Sequence, residues 1–447
     1  MTRKNRSVVQ FGRAQCLLAA LFAAALALLA LGMAAPASAQ AAEVTDPIVI
    51  EDATQPYQGD GWAWTSAGSS GTLTLTNANI HIPANTARSA VVVPDGATIH
   101  LVGENTITLD AASSEELYFA GIEAQGDLSI TGDASASLEI IANGNLSWGI
   151  GCEGDLTIGA VELNVAATTV DSPNNLGSEG IVASGDVVIN ADATVATVGS
   201  EYGLRTEGSL NITDAGLVKF GVENTVFNGS ALYVQGETMI ADVSDEVVIE
   251  GSRAIFQGMA AISNSELTAH VNTIDGAITA NGGLEIVDRS RVSVASEGIV
   301  MDVTGSMLVE NADLRSEGIG TRSMALRMNG NLTIADATVT ALGDDAESTV
   351  GINIIPNQTV SGIEDRGTLT LSGNPSLTAE GTQFAIAFWA FEEQWSDDPV
   401  ILDPTIGALE GGMLSYAEND FGGKDFVSAW TYAADDLTLT DEIALEG

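Results

Sequence analysis

The stretch Gly121-Ile-Glu-Ala-Gln-Gly-Asp-Leu-Ser-Ile130 decides how this chain folds. Its apolar residues alternate, first Ile122 and Ala124, then Leu128 and Ile130, which is the period of a half-buried strand. The Gly126-Asp127 pair between them is turn chemistry. The ten residues therefore read as strand, corner, strand. The phrase returns as Gly149-Ile-Gly-Cys-Glu-Gly-Asp-Leu-Thr-Ile158, then at Gly180–Ile189 and Gly203–Ile212. Looser copies start at Ala231, Ala277, Gly298, Ala325 and Gly351, and weaker ones at Ala90, Ala254 and Ala385. The mean spacing is about 26 residues, the signature of a solenoid. A third short alternation follows several copies, as in Leu138-Glu-Ile140 and Val161-Glu-Leu163. Three short strands per repeat predict an all-β chain folded as a parallel β-helix of about 11–12 coils, rising roughly 4.8 Å per coil.

Stacked coils turn sequence positions into columns. The second position of the phrase reads Ile122, Ile150, Ile181, Leu204, Leu232, Ile255, Ile278, Ile299, Leu326 and Ile352, an inward aliphatic stack. The first position is Gly or Ala, expected where the backbone turns tightly. Cys152 falls at the fourth position beside Ala124 and Ala183 and is expected to be an inert buried thiol. Tyr233 and Phe256 fall at the outward third position of adjacent coils, and Arg205 and Arg327 share that column several coils apart.

Outside the repeats the character changes. Residues 1–41 have a basic start (Arg3, Lys4, Arg6, Arg13), an apolar run from Cys16 to Leu31, and small residues around Ala39 and Ala41. This is the three-part pattern of a cleaved secretory signal peptide, so a secreted or cell-surface location is expected, with no membrane-spanning segment after cleavage. No sortase-type signal is expected at the C-terminus. Residues 42–89 read as an N-terminal cap with the first strands, 90–385 as the repeats, and 386–447 as an aromatic-rich C-terminal cap or small subdomain. Caps are needed because an open β-helix end offers unpaired strand edges.

The chain has 60 acidic and 15 basic residues, a net charge of -45. Losing the leader removes four basic residues and leaves one cysteine, so no internal disulfide is expected. Such acidity excludes nucleic acid and anionic membrane surfaces as partners, since phosphate contacts need clustered Lys and Arg. With 45% hydrophobic residues the chain still has ample material for a core.

No catalytic set stands out. The acid pairs Asp344-Asp345, Asp397-Asp398 and Asp435-Asp436 lack a hydrolase context, and His81, His100 and His270 lack metal-ligand spacing. The residue after the second glycine reads Asp127, Asp155, Asp186, Ser209, Glu237. Three carboxylates about one strand spacing apart repel unless something sits between them, so Asp127, Asp155 and Asp186, with Glu153 beside them, are candidate calcium ligands. Aspartate at a turn is also ordinary turn chemistry. Exposed aromatic faces are the usual means of holding sugars, which nominates Trp62, Trp64, Trp389 and Trp395, and the outward pair Tyr233 and Phe256.

The segments Gly61-Trp-Ala-Trp64, Gly71-Thr-Leu-Thr-Leu-Thr-Asn-Ala-Asn-Ile80 and Ala97-Thr-Ile-His-Leu-Val-Gly-Glu-Asn-Thr-Ile107, with the coils that follow, resemble bacterial surface proteins with carbohydrate-binding β-helix domains. The resemblance covers roughly residues 60–385. It implies a right-handed, pectate-lyase-like parallel β-helix that is non-catalytic and binds polysaccharide, with calcium in some members. The resulting expectation is a monomeric, secreted, adhesin-like β-helix for polysaccharides or host-surface glycans: neutral or amino-sugar ligands, or acidic ones bridged by calcium. A polysaccharide lyase or glycoside hydrolase on the same fold is the alternative, as is a purely structural surface rod.

Overall fold

The computed structural model describes residues 41–388, except 85–86, 111–117, 145, 170–176, 224–228, 272, 274, 345–348, 356, 360–361, 366–367, 374 and 382–383, together with strands at 416–418, 424–426, 430–433 and 437–440. Strand Phe119–Ala124 belongs to a first sheet, Leu128–Gly132 to a second and Ser137–Asn143 to a third. The chain then returns with Ser147–Cys152, which lies parallel to Phe119–Ala124 and sets Ile150 opposite Ile122 and Cys152 opposite Ala124. The same circuit repeats along the chain and builds sheets of 15, 15 and 14 strands, parallel except at their ends. The protein is a right-handed parallel β-helix of about twelve coils. No helix occurs among the described residues.

The aliphatic column lines the interior. Ile122, Ile150, Ile181, Leu204 and Leu232 are in register and fully buried. Two of its expected members are corrected. In the strand Ala254–Phe256, Ala254 pairs with Leu232 and Ile278, while Ile255 stands opposite Tyr233 on the outside. Phe256 therefore points inward, between Val234 and Ala280, and is 1% exposed. A one-residue register step exchanges the faces of every side chain. Burying Phe256 and leaving the smaller Ile255 outside is the better exchange, because an aromatic ring hides more apolar surface. Likewise Met301, not Ile299, continues the column between Ile278 and Leu326.

The glycine at the first position has a different cause from the one expected. Gly121 and Gly149 do not have positive φ. A Cβ on Gly121 would lie 2.5 Å from Ile140 Cγ2, and one on Gly149 2.1 Å from Val165 Cγ1. Glycine there makes room for the third sheet's core residues to reach the first sheet.

Both ends depart from parallel pairing. At the N-terminal end Tyr57–Gly59, Trp62–Ala67 and Ser70–Thr76 form an antiparallel meander, whose last strand starts the parallel stack against Ala97–Val102. At the other end Trp430–Ala433, Leu437–Thr440 and Lys424–Phe426 add antiparallel strands, one to each sheet. Each coil has three corners. The first, between the first and second sheets, is three residues long from 94–96 through 281–283, two at 305–306 and 330–331, and further on carries the antiparallel hairpin Asn357–Thr359 and Gly362–Asp365. The third, from the third sheet to the next coil, ranges from 111–118 and 169–178 down to 200–201 and 252–253.

Candidate functional site

An aromatic cluster lies on the outer face of the first sheet, beside the corner of variable length. Trp148, Glu179, Tyr202 and Ser230 are consecutive partners down one column, and Gly151, Val182, Arg205 and Tyr233 down the next. The Trp148 ring lies over Gly151, where a Cβ would come within 2.5 Å of it. Tyr118 stacks on Trp148 with ring centroids 4.5 Å apart, and Tyr202 meets Tyr233 edge to face at 6.0 Å. Tyr118 is 41% exposed, so the patch is open at that end.

An ion pair divides the two aromatic pairs. Arg205 donates to Glu179 through Nε at 2.7 Å and Nη2 at 3.2 Å, and its guanidinium lies 5.8 Å from the centre of the Tyr202 ring. Burial pushes the Glu179 carboxyl above its usual range, and Arg205 pulls against that shift. The indole Nε1 of Trp148 also draws the Glu179 carboxyl down, though it lacks the geometry of a formed hydrogen bond. Arg88 adds a cation at one end, its Nε donating to the Tyr118 carbonyl at 3.0 Å. Aromatic faces for stacking and a fixed donor–acceptor pair between them are what a sugar ring asks of a surface.

Of this cluster the repeat itself exposes Tyr233 and Arg205, both at its outward third position. Trp148, Glu179 and Tyr202 each stand one residue before the phrase that repeats, so extending that phrase by one position would have exposed their column. Tyr118 precedes a strand by one residue and carries no periodic signal.

The remaining candidates fall elsewhere. Trp64 is 1% exposed and its Nε1 donates to the Ala53 carbonyl at 3.1 Å, so it serves the N-terminal cap and offers no face to a ligand. Trp62 is half-buried against the same cap, over Gly59. Phe256 belongs to the core, as described. Trp389 and Trp395 lie outside the described residues.

The acidic column does run along the first corner, and it is longer than expected. Asp95 Oδ1 accepts the backbone N–H of Asp127 at 2.8 Å, Asp127 that of Asp155 at 2.9 Å, Asp155 that of Asp186 at 2.8 Å, and Asp186 that of Ser209 at 2.7 Å. Each carboxylate thus caps an amide of the next coil. The preceding glycine is part of this device, since a Cβ on Gly185 would lie 2.1 Å from Asp155 Oδ1. Glu153 is exposed at the neighbouring position. Among the described residues no three His, Cys, Asp or Glu side chains gather closely enough to hold a metal ion.

Cys152 lies inside, 4% exposed, with its thiol directed at the Gly126 carbonyl at 3.1 Å. Burial pushes that thiol up to about 11. His81 sits between two carboxylates, Nδ1 at 2.9 Å from Glu43 and Nε2 at 3.0 Å from Asp110.

No protein-family model matches this chain, and neither the curated proteins nor the solved structures contain a match to it.

Proposed function

We propose that this is an exported, non-catalytic carbohydrate-binding β-helix that holds polysaccharide on the outer face of its first sheet. The observation that carries the reading is the run of Tyr118, Trp148, Tyr202 and Tyr233 across five coils, with the Glu179–Arg205 pair between them. Trp148 and Tyr202 are two coils apart, roughly 10 Å at strand spacing, a span suited to successive rings of an extended glycan. The variable corner beside the cluster supports the same face, because insertions in repeat proteins gather where ligands bind. The leader sequence supports export. Calcium is retained in the proposal only as a bridge for acidic glycans.

The test is a glycan array on residues 42–447, run in calcium and again in chelator. Trp148→Ala and Tyr202→Ala should each remove binding that the wild-type protein shows. Binding that survives both substitutions would contradict the assignment of this face, and binding lost only in chelator would move attention to the acidic corner. Release of reducing or unsaturated ends from a polysaccharide panel would replace the reading with that of a hydrolase or lyase.

A further inference from the structure

The outer face of the second sheet is unlike the rest of this acidic molecule. Its eight strands from Ser70–Thr76 through Ala260–Ser263 contain no Asp, Glu, Lys or Arg. One outward column runs Thr98, Ser129, Thr157, Val188, Asn211, Met239 in unbroken register, and Met239 is 42% exposed. The strip is roughly 15 Å wide for four or five residues and roughly 40 Å long for eight strands.

Acidic residues border this strip on both sides over overlapping lengths. Along the first corner Asp95, Asp127, Asp155 and Asp186 stand on four successive coils, and along the second stands Asp133, then, after a coil that has none, Asp192, Asp214 and Asp242, all exposed. No Lys or Arg lies in either corner over these coils. His100, on the strip, faces Asp133 at 3.3 Å. The first row is held in place, because each Oδ1 is engaged by the next coil's amide while the residue stays exposed. Asp192, Asp214 and Asp242 are held by left-handed backbone, with φ of 59°, 50° and 54°.

An uncharged, hydroxyl-bearing floor between two fixed rows of carboxylates focuses a negative potential along one line. An anionic polymer is repelled there, and a second copy of the chain would set row against row. We propose that this face docks an extended, hydroxylated polycation, of the class of amino-sugar polymers with free amino groups, lying along the helix axis. The floor then meets sugar hydroxyls and ring faces, and the rows meet ammonium groups. This site is separate from the aromatic cluster on the first sheet.

Calorimetry on residues 42–447 at mildly acidic pH tests the proposal with three probes: a deacetylated chitosan oligomer, its acetylated counterpart and an oligolysine of equal charge. The deacetylated oligomer should bind about tenfold more tightly than either of the others, and more weakly as salt rises. Asp186→Asn with Asp192→Asn keeps the capping acceptor and should weaken that binding about fivefold, with an unchanged circular dichroism spectrum. The same order of affinities should hold in the Trp148→Ala background, where the first-sheet face no longer contributes. In that background, equal binding of the acetylated oligomer or of oligolysine, or no binding, would overturn the proposal. So would indifference to the double substitution. Failure of the Trp148 variant on neutral glycans alone bears on the first-sheet reading and not on this one.

Discussion

Asp127 Oδ1 accepts the backbone N–H of Asp155, a residue 28 positions later and one coil further along, at 2.9 Å. The contact repeats from Asp95 to Ser209 and makes the corner a continuous strip of capped amides. It also explains why glycine precedes Asp127, Asp155 and Asp186, where a Cβ would meet the carboxylate of the coil before. Asp155→Ala should cost about 0.5–1.5 kcal/mol, the net worth of one such hydrogen bond, and Asp155→Asn distinctly less. Gly185→Ala should cost more, about 1–3 kcal/mol, because its Cβ would displace the Asp155 carboxylate and press on the Gly154 backbone. Urea unfolding of the three variants checks the order.

The position of Phe256 can be read from stability. Phe256→Ala should destabilise by about 3–5 kcal/mol, as removal of a core aromatic does. Ile255→Ala, on the outer face, should cost well under half of that. Equal or reversed losses would restore the register that simple counting of the repeat suggests.

Breaking the Glu179–Arg205 pair should be asymmetric. Glu179 is the more buried partner, with 8% of its side chain exposed against 30% for Arg205. Arg205→Met strands a buried carboxylate and should cost up to about 3 kcal/mol at neutral pH. Glu179→Gln leaves a guanidinium that still reaches water and should cost less. Because burial already raises the Glu179 pKa, acidification protonates it readily. The Arg205→Met defect should therefore shrink as pH falls, which thermal melts across the acid range will show.

The His81 clasp ties the Glu43–Val44 strand to the body, and its pH dependence has a defined sign. Hydrogen bonds that His81 donates to Asp110 and then Glu43 raise its pKa above 6.5. Its contribution is full below 6.5 and is lost as pH rises through the raised folded value. Asp110 is held below 3.8 by His81 and then Asn143, so its contribution exists above 3.8 and is lost as pH falls through its folded value. The clasp is strongest between those limits. His81→Asn should flatten the stability profile as pH rises from 6.5, while a slope unchanged there would argue against the clasp.

Cys152 should resist alkylation. With its thiol pushed up to about 11 and the side chain inside the coil, iodoacetamide labelling should proceed only on unfolding, at a rate that follows denaturant. Rapid labelling of the native protein would mean that this coil opens.

Much of the architecture was legible because the repeat is short and its alternation is strict. Ile122, Ile150, Ile181 and Leu204 could be placed inside by periodicity alone, and Asp127, Asp155 and Asp186 could be placed in one column. Periodicity failed at Ala254–Phe256, where the copy is weak and packing volume chose the register. The candidate site was less legible. Trp62 and Trp64 drew attention as aromatic residues in an irregular segment, yet Trp64 is consumed by the cap. Trp148 and Tyr202 precede the phrase that defines the repeat, so its period does not reveal them.

The amino-acid sequence by itself determined the strand-corner-strand circuit, the inward column and the acidic corner, because each depends on residues within one coil and on the fact of stacking. Tertiary structure decided what lies beside what across coils. Tyr118 on Trp148, Glu179 on Arg205, and an uncharged strip between two acidic rows join residues some twenty to thirty positions apart, at corners whose length varies. Those neighbours are set by register and packing volume between coils, and no periodicity within a coil contains them.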